Sequence, residues 1–283
     1  MKTIAIPQFY CGPSGQKGLY NRQEVGLARA FAALGCRAVV LYPAPDAKAP
    51  TVENPEPNIR IYYLPVRKLG AQAFFPSWQV LLEEQVDAVH VMGDNSPGVP
   101  SLYRFCRRHG IVFYSQLGAL KSTSTHAAVR AVMDLLLRRN LAIYKKTPTY
   151  AKTPAVVAEL QSLGVPCAGL MPVGLDTAII PDVPGTRAEL RRALKLDVDA
   201  KIFCFVGRLD AYKRPLDLVP LLEAAPGWQA VIIGQGSQGA ELARLLDARG
   251  LAARCRMIPK LPNESVHVYY HACDAFVNLN DQE

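Results

Sequence analysis

The sequence has no run approaching the ~18 uninterrupted apolar residues of a membrane span. Its first residues, MKTIAIPQFY, are too short in apolar length for a signal peptide. No CxxC pair occurs among its seven cysteines, scattered from Cys11 to Cys273, which excludes a zinc knuckle; their odd number argues against a disulfide framework. There is no internal repeat at a fixed period. The cations are dispersed, with no interleaving of basic and aromatic residues, so a nucleic-acid platform is not expected. These absences describe a soluble chain of a reducing, cytoplasmic compartment, with most thiols packed in cores.

What is present is bulk. At 283 residues and 50% hydrophobic, the chain has material for two domains with separate cores. A net charge of +8 favours anionic partners, which include sugar nucleotides, nucleic acid and acidic membrane surfaces. Charge alone does not choose among them.

Short β-rich runs alternate with helical patterns from the start: Thr3 to Pro7, Ala38 to Tyr42, Ile59 to Leu64, Ala88 to Met92 and Ile111 to Tyr114. Alternation of this kind predicts parallel βα units. Leu27, Phe31 and Leu34 fall on one helical face, and Gly35 stands where that helix would stop. Thr153 and Pro154 form a cap and first turn, with Gly164 closing the helix. The aperiodic stretch from Thr177 to Gly185, with Pro181 and Pro184, reads as a hinge. A second α/β series follows. The expected architecture is α/β, two Rossmann-like doubly wound parallel-sheet domains spanning 1–176 and 177–283. The second has about four strands where such domains have five or six, and it is expected to be incomplete, by truncation or for want of a partner.

The segment FVGRLDAYKR, Phe205 to Arg214, carries the most chemistry. The preceding Ile202 to Val206 reads as a strand buried on both faces, so Gly207 and Arg208 lie at its carboxyl end, where open α/β sheets bind ligands. Arg208 offers a planar fork for phosphate, and Lys213 adds a point charge. Two solvated loop cations are the plainer alternative. In IIGQGSQGAEL, Gly234 and Gly236 stand at a strand end before a helix, but a dinucleotide fingerprint needs a third glycine and a later acidic residue. A nucleotide-facing turn and an ordinary turn both fit.

Four blocks together resemble the retaining group 1 (family 4) glycosyltransferases of the GT-B fold, in which two Rossmann-like domains face each other. CGPSGQKGLY with the following LARAFAALGCRAVVL looks like the family's glycine-rich loop and first helix. PVGLDT, Pro172 to Thr177, looks like its crossing segment, with Gly in place of Asn. FVGRLDAYKR looks like its diphosphate motif, with four residues between Arg208 and Lys213. YYHACDAFVNLNDQE looks like the start of its two-glutamate motif, of which Glu283 would be the first glutamate; the second, the ribose-binding carboxylate, is absent.

The resemblance implies transfer of a sugar from a nucleoside diphosphate donor to a glycan or lipid-linked acceptor, with retention and without a metal or other cofactor. Arg208 and Lys213 would neutralise the leaving diphosphate, a charge that develops mainly in the transition state. Glu283 would accept hydrogen bonds from the transferred sugar. Gly15, Gly18, Gly207, Gly234 and Gly236 would let backbone N–H groups approach the donor. Asp94 and Asn95, after a strand end in HVMGDN, are expected to contact the acceptor. Gln116 stands where the family often has a histidine; it can bond a sugar hydroxyl but cannot act as acid or base. His90 reads as structural, and Asp197 and Asp199 lie in a turn and are assigned no metal. The pairs Arg107 and Arg108, Arg138 and Arg139, and Lys145 and Lys146 fit either solvated helix ends or an acidic membrane surface. A partner-dependent GT-B subunit and a sugar-nucleotide epimerase are the alternative functions.

Overall fold

The apolar run Thr3–Pro7 forms β1, the centre of the first sheet. The computed structural model describes residues 1–11, 22–118, 120 and 127–280, and the chain divides into two units, Met1–Asp176 and Thr177–Glu283. In the first unit β1 is followed by α1 (Gln23–Ala33), β2 (Arg37–Ala44), β3 (Thr51–Glu56) and β4 (Ile59–Pro65). A small hairpin comes next, β5 (Arg67–Leu69) and β6 (Gln72–Phe74), then α2 (Val80–Glu83), β7 (Ala88–Val91), α3 (Val99–His109) and β8 (Val112–Leu117). The unit ends with α4 (Ala127–Tyr144), β9 (Thr149–Ala151), α5 (Pro154–Ser162) and β10 (Gly169–Leu170).

Eight of its ten described strands form one sheet in the order β10-β9-β8-β7-β1-β2-β4-β3, all parallel except β3, which runs antiparallel to β4 at the edge. Period-2 alternation explains why the inner strands read as unbroken apolar runs. Ala5, Val39, Leu41, Val89 and Val91 point to one buried face, and Ile6, Val40, Tyr42, Ile59 and Ile61 to the other. Helix α1 covers the second face through Val25 and Ala28, with Leu27 and Phe31 packed alongside. Leu34, expected on that face, is 79% exposed, because the helix ends at Ala33 and Leu34 is its C-cap. Gly35 at φ 78° then turns the chain away.

The second unit holds α6 (Arg187–Ala193), β11 (Lys201–Val206), α7 (Leu218–Ala224), β12 (Trp228–Ile233), α8 (Gly239–Ala248), β13 (Cys255–Ile258), α9 (Asn263–Ala272) and β14 (Ala275–Phe276). Its described strands order as β13-β12-β11-β14, all parallel. Phe203 and Phe205 pack with the leucines of α7 and α8 on one face, while Ile202 and Cys204 meet Tyr269 and Cys273 on the other. Asp274, within the YYHACDAFV block, has a structural role. It accepts bonds from Ile202 N–H (2.8 Å) and from Arg191 (2.7 Å), whose buried guanidinium also donates to the Ala272, Val198 and Ala200 carbonyls. This clamp lies at the amino-terminal ends of β11 and β14, the edge opposite the ligand-facing one.

Candidate active site

In each unit the strand order reverses beside the first strand: between β1 and β7 in the first, between β11 and β14 in the second. A crevice opens at the carboxyl ends of the strands at such a switch point.

In the second unit β11 delivers Gly207 and Arg208 to that point. Gly207 N–H donates to Ile233 O (3.0 Å), Leu209 N–H to Gln235 O (3.1 Å), and Gln238 N–H to Leu209 O (2.8 Å), so the loops after β11 and β12 are joined through backbone. This contact dictates two glycines. A Cβ at Gly234 would stand 1.7 Å from Gly207 O, and one at Gly236 2.4 Å from Leu209 C. Their requirement is thus packing of one loop on the other. Gly207 differs: a Cβ there would meet no described atom nearer than 4.0 Å, so neither crowding nor a positive φ demands glycine. It keeps the switch point clear of a side chain, while its own N–H is spent on Ile233 O.

Asp210, which sequence reasoning did not single out, organises this loop. Its Oδ1 accepts the Ser237 N–H (2.8 Å) and hydroxyl (2.9 Å), and its Oδ2 accepts Arg208 Nε (2.6 Å). These bonds, the Ser237 amide foremost, hold its carboxyl below the usual range. Arg208 remains exposed, with 61% of its side chain accessible. Lys213 closes a short 3-10 turn, Ala211–Lys213, and its ammonium lies 5.4 Å from the Tyr212 ring centroid. Glu283, Gly15 and Gly18 lie outside the described residues. Asp197 and Asp199 form an Asx turn, Asp199 N–H donating to Asp197 Oδ1 (3.0 Å).

In the first unit the strand ends are held by side chains. Asp94 adopts φ 37°, a left-handed conformation uncommon for a non-glycine residue. The turn is fixed from α4: Tyr144 OH (2.7 Å) and Asn140 Nδ2 (3.1 Å) both donate to Asp94 O, and Asn140 also donates to Ser96 O (2.8 Å). The Asp94 carboxylate accepts Gly118 N–H at 2.7 Å. Desolvation pushes its carboxyl up from the ordinary range, against the pull of Lys152 and of that N–H. Asn95 is half-buried beside it.

Gln116 is buried and engaged with protein. Its amide donates to Met171 O (2.6 Å) and Pro172 O (3.2 Å), and its Oε1 faces His90 Nε2 at 3.1 Å. With both amide hydrogens on carbonyls, His90 must donate through Nε2, which assigns its tautomer. Burial pushes His90 down to about 4, so it is neutral, and among the described residues its Nδ1 has no partner. Gln116 thus ties residues 171–172 to the core; bonding a sugar hydroxyl would require it to give up one of these partners. The same segment is pinned further on. Asp176 pairs with Arg29 (2.5 Å) and packs on α1 where a Cβ at Gly26 would stand 2.9 Å from its own.

Comparison with known proteins bears on the family and the fold. Residues 186–283 match the family model for glycosyl transferases group 1. The chain is 24% identical over 326 aligned residues to a D-inositol 3-phosphate glycosyltransferase of Actinosynnema mirum, covering 97% of this chain and 74% of that one. The Mycobacterium bovis enzyme of the same name is 32% identical over 97 residues, 32% of this chain and 20% of the relative. Among solved structures, sucrose-phosphate synthase from Thermosynechococcus elongatus superposes with a TM-score of 0.73 at 20% identity, over 98% of this chain and 75% of that one. Anabaena HepE in complex with UDP-glucose gives 0.68 at 16% identity, over 99% and 74%. The fold is that of GT-B glycosyltransferases.

Proposed function

We propose, from the match of residues 186–283 to the family model for glycosyl transferases group 1, that the chain is a glycosyltransferase that moves a sugar, with retention, from a nucleoside diphosphate donor to a glycan or lipid-linked acceptor. One observation carries the donor assignment: an unobstructed Gly207 followed by an exposed, Asp210-tethered Arg208 at the carboxyl end of the strand beside the switch point. With no side chain at Gly207, the diphosphate can approach closely. The guanidinium and the Lys213 ammonium then oppose charge that grows as the glycosidic bond breaks, a task a metal ion performs in other transferases. The first unit takes the acceptor, with Asp94 and Asn95 as its contacts on a turn that α4 holds rigid.

We assign the six exposed cations Arg107, Arg108, Arg138, Arg139, Lys145 and Lys146 to peripheral contact with an acidic membrane surface. Val132 and Leu135 of α4, 57% and 60% exposed, add apolar area near them. No helix among the described residues is long and apolar enough to cross a membrane.

The test is thermal unfolding of the chain with UDP-, GDP- and ADP-sugars, beside Arg208→Ala. A ligand that binds only the native state must raise the midpoint. The expected result is a rise with one base that the variant loses; no rise with any sugar nucleotide, and no nucleotide release during turnover, would sink the assignment.

A further inference from the structure

We propose that Lys152 is the anion-reading residue of the acceptor site, so that the acceptor carries a phosphate or diphosphate next to the hydroxyl that receives the sugar. The inference rests on the glycosyltransferase reading and names its substrate class.

Register brings the group together. Val91 pairs with Ser115 and Leu117 with Ala151, so Asp94, Gly118 and Lys152 form one row just beyond the carboxyl ends of β7, β8 and β9. Lys152 N–H continues the ladder to Leu117 O (2.9 Å). Its side chain lies across Gly118, where a Cβ would stand 3.2 Å from Lys152 Cδ and 3.4 Å from Nζ. Glycine at 118 leaves room for this position, since a side chain there would crowd the lysine's aliphatic stem.

The charge placed there acts through space on Asp94, against the burial that pushes that carboxyl toward its neutral form. Lys152 is half-buried, and among the described residues its ammonium has neither a hydrogen bond nor an ion pair. Asp94, in the same row, spends one oxygen on the Gly118 N–H and makes no salt bridge to it. Lys152 also directly precedes Thr153, the cap of α5, whose side chain accepts Val156 N–H (3.3 Å). A phosphate on Lys152 and a hydroxyl on Asp94 would together orient a polyol or glycan, the cation fixing position and the carboxylate the reacting edge.

The experiment uses the full chain, with Lys152→Met and Lys152→Arg. In thermal unfolding, inorganic phosphate should raise the midpoint of wild type and of Arg208→Ala, but not of Lys152→Met; that separates this site from the diphosphate site of the second unit. In transfer assays, myo-inositol is paired with D-myo-inositol 3-phosphate, and a neutral alkyl glycoside with a short polyprenyl diphosphate glycoside. The pair that wild type discriminates identifies a soluble phosphate or a lipid diphosphate as the source of the anion. Lys152→Met should cut the preference for the charged member by at least about tenfold, and Lys152→Arg should restore most of it. Equal losses on charged and neutral acceptors, or a phosphate shift that persists in Lys152→Met, overturns the proposal. If sugar nucleotides stabilise wild type while that preference is untouched by the variant, Lys152 is excluded and the glycosyltransferase reading stands. If no sugar nucleotide binds, that reading fails, and the phosphate arm still decides for Lys152.

Discussion

The two strand-end regions solve one problem, holding polar groups still at the edge of a parallel sheet, by different means. In the second unit backbone grips backbone. Gly207, Leu209 and Gln238 bond across two loops, and Gly234 and Gly236 exist because no side chain fits between them. In the first unit side chains reach in from elsewhere: Asn140 and Tyr144 from α4, and His90 and Gln116 from β7 and β8. A loop held by its own backbone leaves its mark in consecutive residues, as glycines at fixed spacing. A loop held by distant side chains leaves almost none. The strand-end region of the second unit is therefore a linear motif, and that of the first an assembly.

The largest effect is expected where the backbone contact is closest. Gly234→Ala would force a methyl into the Gly207 carbonyl while the residue holds φ 152°, and should destabilise the second unit by ~3 kcal/mol or more. Chemical denaturation measures this; a loss below about 1 kcal/mol would show that the loops part easily, and the contrast between the regions would break. Arg208→Ala should leave stability nearly unchanged while lowering turnover by about a hundredfold, the usual cost of one group aimed at transition-state charge. Equal damage to folding and to turnover would make Arg208 a structural residue.

The first unit should answer to pH. His90 is depressed to about 4 by burial, whereas the unfolded chain protonates near 6.5. The unfolded state thus gains the proton first, so the contribution is complete above about pH 7 and falls away between pH 6.5 and 4. The shift corresponds to on the order of 3 kcal/mol. Unfolding midpoints at pH 7 and 4.5 should differ less in His90→Gln than in wild type; parallel curves would mean that the imidazole is hydrated in the folded chain. The smallest effect is predicted for Asn140→Ala. Removing its two bonds to the Asp94 turn should cost ~1–2 kcal/mol and raise the acceptor KM, while donor-induced stabilisation persists. A change in donor affinity instead would show that the two sites are not held independently.

Legibility followed the same division. Thr3–Pro7 was read to the residue, and the cores of β2, β4, β7, β8, β11 and β12 within a few, because strands buried on both faces must be apolar throughout. The edge strand β3, TVENPE, escaped notice because it is exposed and contains a proline. The hairpin β5–β6 and the two-residue β10 are too short for any period to show. Helix α7 carries Pro220 in its first turns, which reads as a break. At the site, Gly207 and Arg208 stood out because they follow a buried strand. Lys152 did not, because nothing near it in sequence distinguishes it from any lysine before a helix cap.

The sequence by itself determined the alternation of elements and the segment Phe205 to Arg214 that ends a buried strand in spaced cations, since each depends on neighbours a few positions away. Only the tertiary structure decided that Gly234 and Gly236 serve the loop contact, that Asp210 tethers Arg208, and that Gln116 is spent on the chain rather than left open. It also decided that Asp94, Gly118 and Lys152 share one row. The physical reason is that a hydrogen bond or a steric limit between residues tens of positions apart is set by strand register and helix packing, and neither is encoded at the residues that feel it.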